Sequence, residues 1–215
     1  YAHLFKAKEE VLYSHKAIDF GALRLAKHLA AATNHPLYYT TTSRLLVEAN
    51  RSLDNEELFS AFTKNLPEKE KQNLLQDYYF PHREQITHKI TKEIKAGNQV
   101  YHLAVHTFTP VKDKEVREAD IGILFDPARS PEVNFSNRLQ QELLALNPNR
   151  KVLYNSPYAG TADGLPTYLR KQFTPDAYAG FELEINQKFF LNGEPEVWQM
   201  LVSDITSAIK RTIET

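Results

Sequence analysis

Two histidines stand four residues apart in the stretch YHLAVHTFTPV, His102 and His106. The run alternates and favours residues that suit a pleated surface, so it reads as a strand that Thr107, Thr109 and Pro110 stop. Four residues of strand separate two Cα atoms by about 13 Å. The pair therefore shares a face of the sheet but cannot share one metal ion. His106, at the carboxyl end, is the metal-ligand candidate, because open α/β sheets bind ligands beyond the carboxyl ends of their strands. His102 reads as a packing or supporting residue, and a structural role for His106 is the alternative. His15 and Asp19 are also four apart, at what reads as a helix start, and could face a site together. Taken alone, Asp19 reads as a helix N-terminal charge.

The stretch SRLLVEANR concentrates Arg44, Glu48, Asn50 and Arg51 just behind a predicted strand. A guanidinium offers a paired fork of donors that matches a carboxylate, so Arg44, Asn50 and Arg51 are candidates for binding an acidic substrate. A solvated loop with a surface ion pair is the alternative. Glu184 lies in GFELEIN, alternating with Phe181, Leu183 and Ile185 and sharing a face with Glu182 and Asn186. A carboxylate there is either paired structurally or tuned for proton transfer.

These residues must be positioned by an α/β scaffold. Ile18, Ala22, Leu25 and Leu29 form one apolar face of a predicted helix within residues 17–33. PLYYTTTSRLLVEANR reads as a strand with a loop behind it. Residues 55–66 and 68–97 read as helical, with Pro81 ending one helix and beginning another. Strands are then predicted over 100–106, 121–125, 151–155 and GFELEIN, with helices over 131–146, 167–172 and 195–214. The last helix sets Trp198, Leu201, Val202, Ile205, Ile209 and Ile213 on one face. Strands interleaved with helices predict a single three-layer α/β/α sandwich with a central mixed, largely parallel sheet.

The 215 residues suffice for one substantial core. Twenty-six basic and twenty-seven acidic side chains give a net charge of -1, which removes the electrostatic motive for binding nucleic acid or an anionic membrane. The absence of cysteine excludes thiolate chemistry, disulfides and cysteine zinc sites, so any metal falls to His, Asp or Glu. No run approaches the roughly 20 apolar residues of a membrane span, and a cytoplasmic location is expected. No nucleophile elbow, phosphate loop, dinucleotide fingerprint or HExxH occurs.

In chain order, SHKAIDFGA, SRLLVEANRS, YYFPHREQI, HLAVHTFTPV, DIGILFDP, NSPYAGTADG and GFELEIN resemble the motifs of the N-formylglutamate amidohydrolase family. The resemblance covers nearly the whole chain. It implies a zinc carboxypeptidase-like α/β/α fold and hydrolysis of N-formylglutamate to formate and glutamate. Position by position it makes His106 a metal ligand and Asp19 a metal or supporting candidate. Arg44, Asn50 and Arg51 become clamps for a substrate carboxylate, and Glu184 the general base. Three departures stand out. The family's opening strand, ending in a Glu-His motif that supplies the first metal ligand, is not in this sequence, so residues 1–215 are expected to form one domain lacking its first strand. Thr107 replaces the usual serine, and Asn186 stands where an arginine is usual. His82 also replaces a common aromatic.

The expected function is a metal-dependent hydrolase cleaving the amide of a small N-acyl amino acid with metal-activated water and Glu184 as base. The cofactor is a divalent metal, zinc by expectation, and the partner a small-molecule substrate. A carboxypeptidase-like peptide hydrolase and a silent domain that binds an acidic metabolite or a protein are the alternatives.

Overall fold

A computed structural model describes residues 1–6, 8–191 and 194–214. Its helices are α1 (Ala22–Thr33), α2 (Glu68–Leu74), α3 (Phe80–Lys95), α4 (Ser130–Leu146), α5 (Leu165–Arg170), α6 (Lys188–Leu191) and α7 (Pro195–Glu214). Its strands are β1 (Val100–Phe108), β2 (Val111–Lys112), β3 (Glu115–Val116), β4 (Ile121–Leu124), β5 (Val152–Tyr154) and β6 (Tyr178–Asn186). The main sheet has the order β1-β6-β4-β5, with β1 parallel to β6, β4 antiparallel to β6 and β5 parallel to β4. The expected mixed, largely parallel sheet is therefore present. β2 and β3 form a separate hairpin whose turn residues, Asp113 and Lys114, both take positive φ.

The alternation of β6 explains the layering. Ala179, Phe181, Leu183 and Ile185 point to one face and are buried with Leu25 and Leu29 of α1, Phe135, Leu139 and Leu143 of α4, and Trp198, Leu201 and Ile205 of α7. Burying a large apolar side chain is worth about 1.5–3 kcal/mol, so this face dominates the stability of the domain. On the other face Tyr178 packs with Ile86 and Ile90 of α3 and with Leu165 and Leu169 of α5. Beyond Tyr178 that second face turns polar: Gly180, Glu182, Glu184 and Asn186 follow in alternation. The site is built there.

Several predicted elements differ from those observed. α1 begins at Ala22, so Ile18 lies outside it and is exposed, and His15 is exposed in an earlier turn. Residues 36–51 form no strand, because no neighbouring strand offers its backbone a ladder. Residues 55–66 are turns rather than helix. Asn55 Oδ1 accepts from the Glu57 N–H and Ser60 Oγ from the Phe62 N–H, local bonds that compete with a helical ladder. Pro81 does sit in the first turn of α3, but the chain passes into it through a π-helical turn, Leu75–Tyr79, not a break. Ile213, placed on the buried face of α7, is exposed near that helix's end.

Candidate active site

β1 continues to Phe108, so His106 lies within the strand and not at its end. The parallel register sets His106 beside Glu184, and Ala104 beside Glu182, on the polar face. On the other flank of β6, Gly122 pairs with Glu184. A Cβ at Gly122 would meet the Ser156 carbonyl oxygen at 2.1 Å and the Glu184 Cβ at 3.3 Å. Only glycine lets the loop after β5 close over this point. Asn155 braces that loop: its Oδ1 accepts from the Phe125 and Gly160 N–H groups, each at 3.0 Å.

Asp19 reaches the site from the turn before α1, not from a helix, so its predicted interaction with a helix N-terminus does not arise. Gly21, at φ 83°, shapes that turn. The Thr107 hydroxyl donates to the Phe20 carbonyl at 2.9 Å and fastens the turn to β1. A serine could supply the same hydroxyl, which accounts for the exchange at this position. Asp19 then uses both oxygens: Oδ2 lies 2.8 Å from His106 Nδ1 and Oδ1 2.7 Å from Arg44 Nη2. Arg44 Nε also reaches Glu48 at 3.0 Å.

Charge in this cluster follows from those contacts. Burial alone would lower the pKa of His106, but the hydrogen bond and charge of Asp19, with Glu182 and Glu184 nearby, raise it to about 10. Burial opposes ionisation of Asp19 as well, yet His106 and Arg44 hold its pKa below the usual value. Glu184 is 6% exposed, and burial, reinforced by Asp19 and Glu182, pushes its pKa up to about 7. Among the described residues no donor reaches its Oε2. His102 is different. Its Nδ1 lies 2.9 Å from the Tyr178 hydroxyl, and burial with the nearby Arg170 lowers its pKa to about 4.

The other predicted substrate-binding residues hold the walls. Asn50 Nδ2 donates to Glu182 at 3.1 Å and its Oδ1 accepts from the Leu165 N–H at 2.7 Å. Arg51 Nη1 donates to the Asp163 carbonyl at 3.0 Å, and its Nε faces Glu57. Asn186 is fully buried, with its amide on the Ala119 carbonyl and the Lys188 N–H.

Residue-type reasoning did not single out Arg83, Asp163 or Glu132. Arg83 lies between the rings of Tyr79 and Tyr168, at 5.0 and 4.5 Å, and donates to the Ala49 carbonyl. Asp163 accepts from the Ser52 N–H and from Asn55 Nδ2. Each depends on partners a hundred residues away or on another element, which spacing does not reveal.

Among the described residues no three His, Asp or Glu side chains converge as a metal site. Both Asp19 oxygens are engaged, by His106 and Arg44, an arrangement that suits the supporting role. His106 does fit: a carboxylate on Nδ1 is the support that orients a metal-binding imidazole, and it leaves Nε2 as the ligating atom.

A crystal structure of a gene product from Agrobacterium tumefaciens is similar over 95% of this chain and 81% of that one, at 26% identity and a TM-score of 0.78. The crystal structure of N-formylglutamate amidohydrolase from Ralstonia eutropha JMP134 aligns over 91% of this chain and 82% of that one, at 15% identity and a TM-score of 0.67, a likeness of fold. No curated protein matches the chain. Residues 2–191 match the family described as N-formylglutamate amidohydrolase, the fold and seven ordered motifs agree with it, and the chain belongs to that family.

Proposed function

We propose that this protein is a metal-dependent amidohydrolase that removes the formyl group from N-formylglutamate or a close N-acyl analogue. The observation that carries the reading is Glu184: a buried carboxylate beside His106, with one oxygen free of donors among the described residues and a pKa near 7. A structural carboxylate at that depth would have its acceptors filled. A group half ionised near neutrality can both take and return a proton.

His106 Nε2 would hold the divalent metal, a zinc-type ion, which when bound supplies a Lewis acid and lowers the pKa of water toward neutrality. Glu184 removes a proton from the attacking water as its oxygen adds to the formyl carbon. Glu184 then delivers that proton to the nitrogen as the C–N bond breaks, releasing formate and free glutamate. Asp19 keeps the proton-bearing nitrogen of His106 turned away from the reaction. Arg44, beside Glu184 and partly exposed, takes the α-carboxylate. Asn50 and Arg51 act through the loops they hold against Glu182 and Asp163.

The test is release of formate and glutamate from N-formyl-L-glutamate with added zinc or cobalt, repeated after chelation. Release that stops on chelation is expected. Release that survives chelation removes the metal from the reading, and no release under any metal removes the substrate.

A further inference from the structure

We propose that Arg117 determines the substrate class by binding the side-chain carboxylate of an acidic N-acyl amino acid, an inference that rests on the amidohydrolase reading above. Arg117 follows the β2–β3 hairpin, and its guanidinium lies over two aromatic rings, 5.6 Å from the centroid of Phe108 and 4.9 Å from that of Tyr158. Arg44, Arg51, Arg129, Arg150 and Arg170 each reach a carboxylate. Among the described residues none of the ion pairs includes Arg117, and its side chain makes one marginal hydrogen bond, 3.5 Å to the Thr109 carbonyl.

Its position is tied to the site from two sides. Phe108 is two residues beyond His106 on the same face of β1, as Asn186 is two beyond Glu184 on β6. Tyr158 is two residues past the Ser156 carbonyl that packs on Gly122 beside Glu184, and it lies near enough to Arg44 to reinforce that residue's charge. Arg44 and Arg117 therefore both neighbour Tyr158, with Arg44 near the base. Other candidates at the level of Phe108 are occupied: Asn186 is bonded to backbone, and Lys188 is paired with Asp120.

The geometry suits a second carboxylate. Two residues of strand set the Phe108 level roughly 7 Å beyond that of His106. A glutamyl side chain carries its carboxylate two methylenes past the α-carbon, which is a comparable reach. Two aromatic rings against a guanidinium restrict its position and leave N–H edges for a pair of acceptor oxygens, which a carboxylate provides and an amide, with one acceptor oxygen and an NH2 donor, does not.

The experiment compares kcat/KM for N-formyl-L-glutamate and N-formyl-L-glutamine in the wild type, Arg117→Gln and Arg117→Lys. The wild type is expected to favour the acid by about 100-fold or more. In Arg117→Gln that ratio should fall to within several-fold of one, mainly through KM. A wild type indifferent to the charge, or an Arg117→Gln variant that keeps the preference, overturns the proposal. Should Arg117→Gln not fold, Arg117→Lys is read in its place: it keeps the charge without the paired N–H edges, so a drop of at least roughly tenfold supports the proposal and an unchanged ratio overturns it. Should the wild type cleave neither compound, the amidohydrolase reading fails separately. Calorimetric binding of glutarate then decides: weakening by Arg117→Gln upholds the carboxylate site, and equal binding to both proteins overturns it.

Discussion

Two glutamates are buried against β6, one at each end, and they are treated in opposite ways. Glu132, on α4 and without solvent exposure, meets Arg170 through both oxygens at 3.0 Å and accepts from the Gly180 and Asp126 N–H groups at 3.0 and 2.8 Å. Arg170 also donates to the Gly160 and Gly180 carbonyls, so this end of the strand is locked to α4, α5 and the loop before α5. Glu184 at the other end has His106 and Arg44 in its field but no donor on Oε2 among the described residues. A buried charge is tolerated when its acceptors are filled and costs free energy when they are not. The filled site positions β6. The unfilled one is where that strand can do chemistry.

Exchanging each glutamate for glutamine tests this contrast most directly. Glu184→Gln should lower turnover by about 10²–10⁴-fold, the range of a lost general base, with substrate affinity largely kept. Glu132→Gln should act on stability instead, costing roughly 3–5 kcal/mol because Arg170 and Arg129 lose their counter-charge. Kinetics and denaturant melts on both variants separate the two roles; near-normal turnover in Glu184→Gln would eliminate it as the base.

Asp19→Asn sharpens the contrast at the next level of effect. The Asp19 charge holds the proton on His106, so its removal should bring the histidine pKa down from about 10, measurable by NMR titration of the metal-free protein. Activity should fall about 10–100-fold, as when the carboxylate supporting a ligand histidine is lost. A histidine that still titrates near 10 would mean that Glu182 and Glu184 hold the proton.

The smallest effect is in stability against pH. The folded pKa of Glu184, about 7, lies above the ordinary glutamate value of 4.5. Its protonated form therefore favours the fold below about pH 4.5, and that contribution is lost as the pH rises through 7. Glu184→Gln should thus be more stable than the wild type at pH 8 by about 1–3 kcal/mol and little changed at pH 4. Thermal melts at the two pH values measure the difference; equal gains at both would show that Oε2 finds a donor.

The elements legible in the sequence were those whose physics is local. Alternation in β6, the 3.6-residue period of α7 and the proline in the first turn of α3 are short-range patterns, and the structure agrees with them. No helix among the described residues is long and apolar enough to cross a membrane, as the composition indicated. The stretch from 36 to 66 defeated the same reasoning, because a strand exists only with a neighbour to pair with and a helix only where side chains do not cap the turns first.

At the site, residue types raised His106, Asp19, Arg44, Asn50, Arg51 and Glu184 beside structural alternatives and the family resemblance gave them roles, and the structure places these residues on the polar face of β1 and β6 or on the loops beside it. What each one touches was decided by tertiary structure. Asp19 and His106 are 87 residues apart in the chain, and Asn50 and Glu182 are 132 apart. The sequence by itself determined which strand face is apolar and which carries carboxylates, since alternation is a property of the backbone. Only the parallel register of β1 and β6 decided that His106 stands beside Glu184, and only the glycine at 122 let the Ser156 loop close over them. Register and closure depend on the packing of distant elements. Among the described residues they leave Glu184 Oε2 without a donor, and that is what separates it from Glu132.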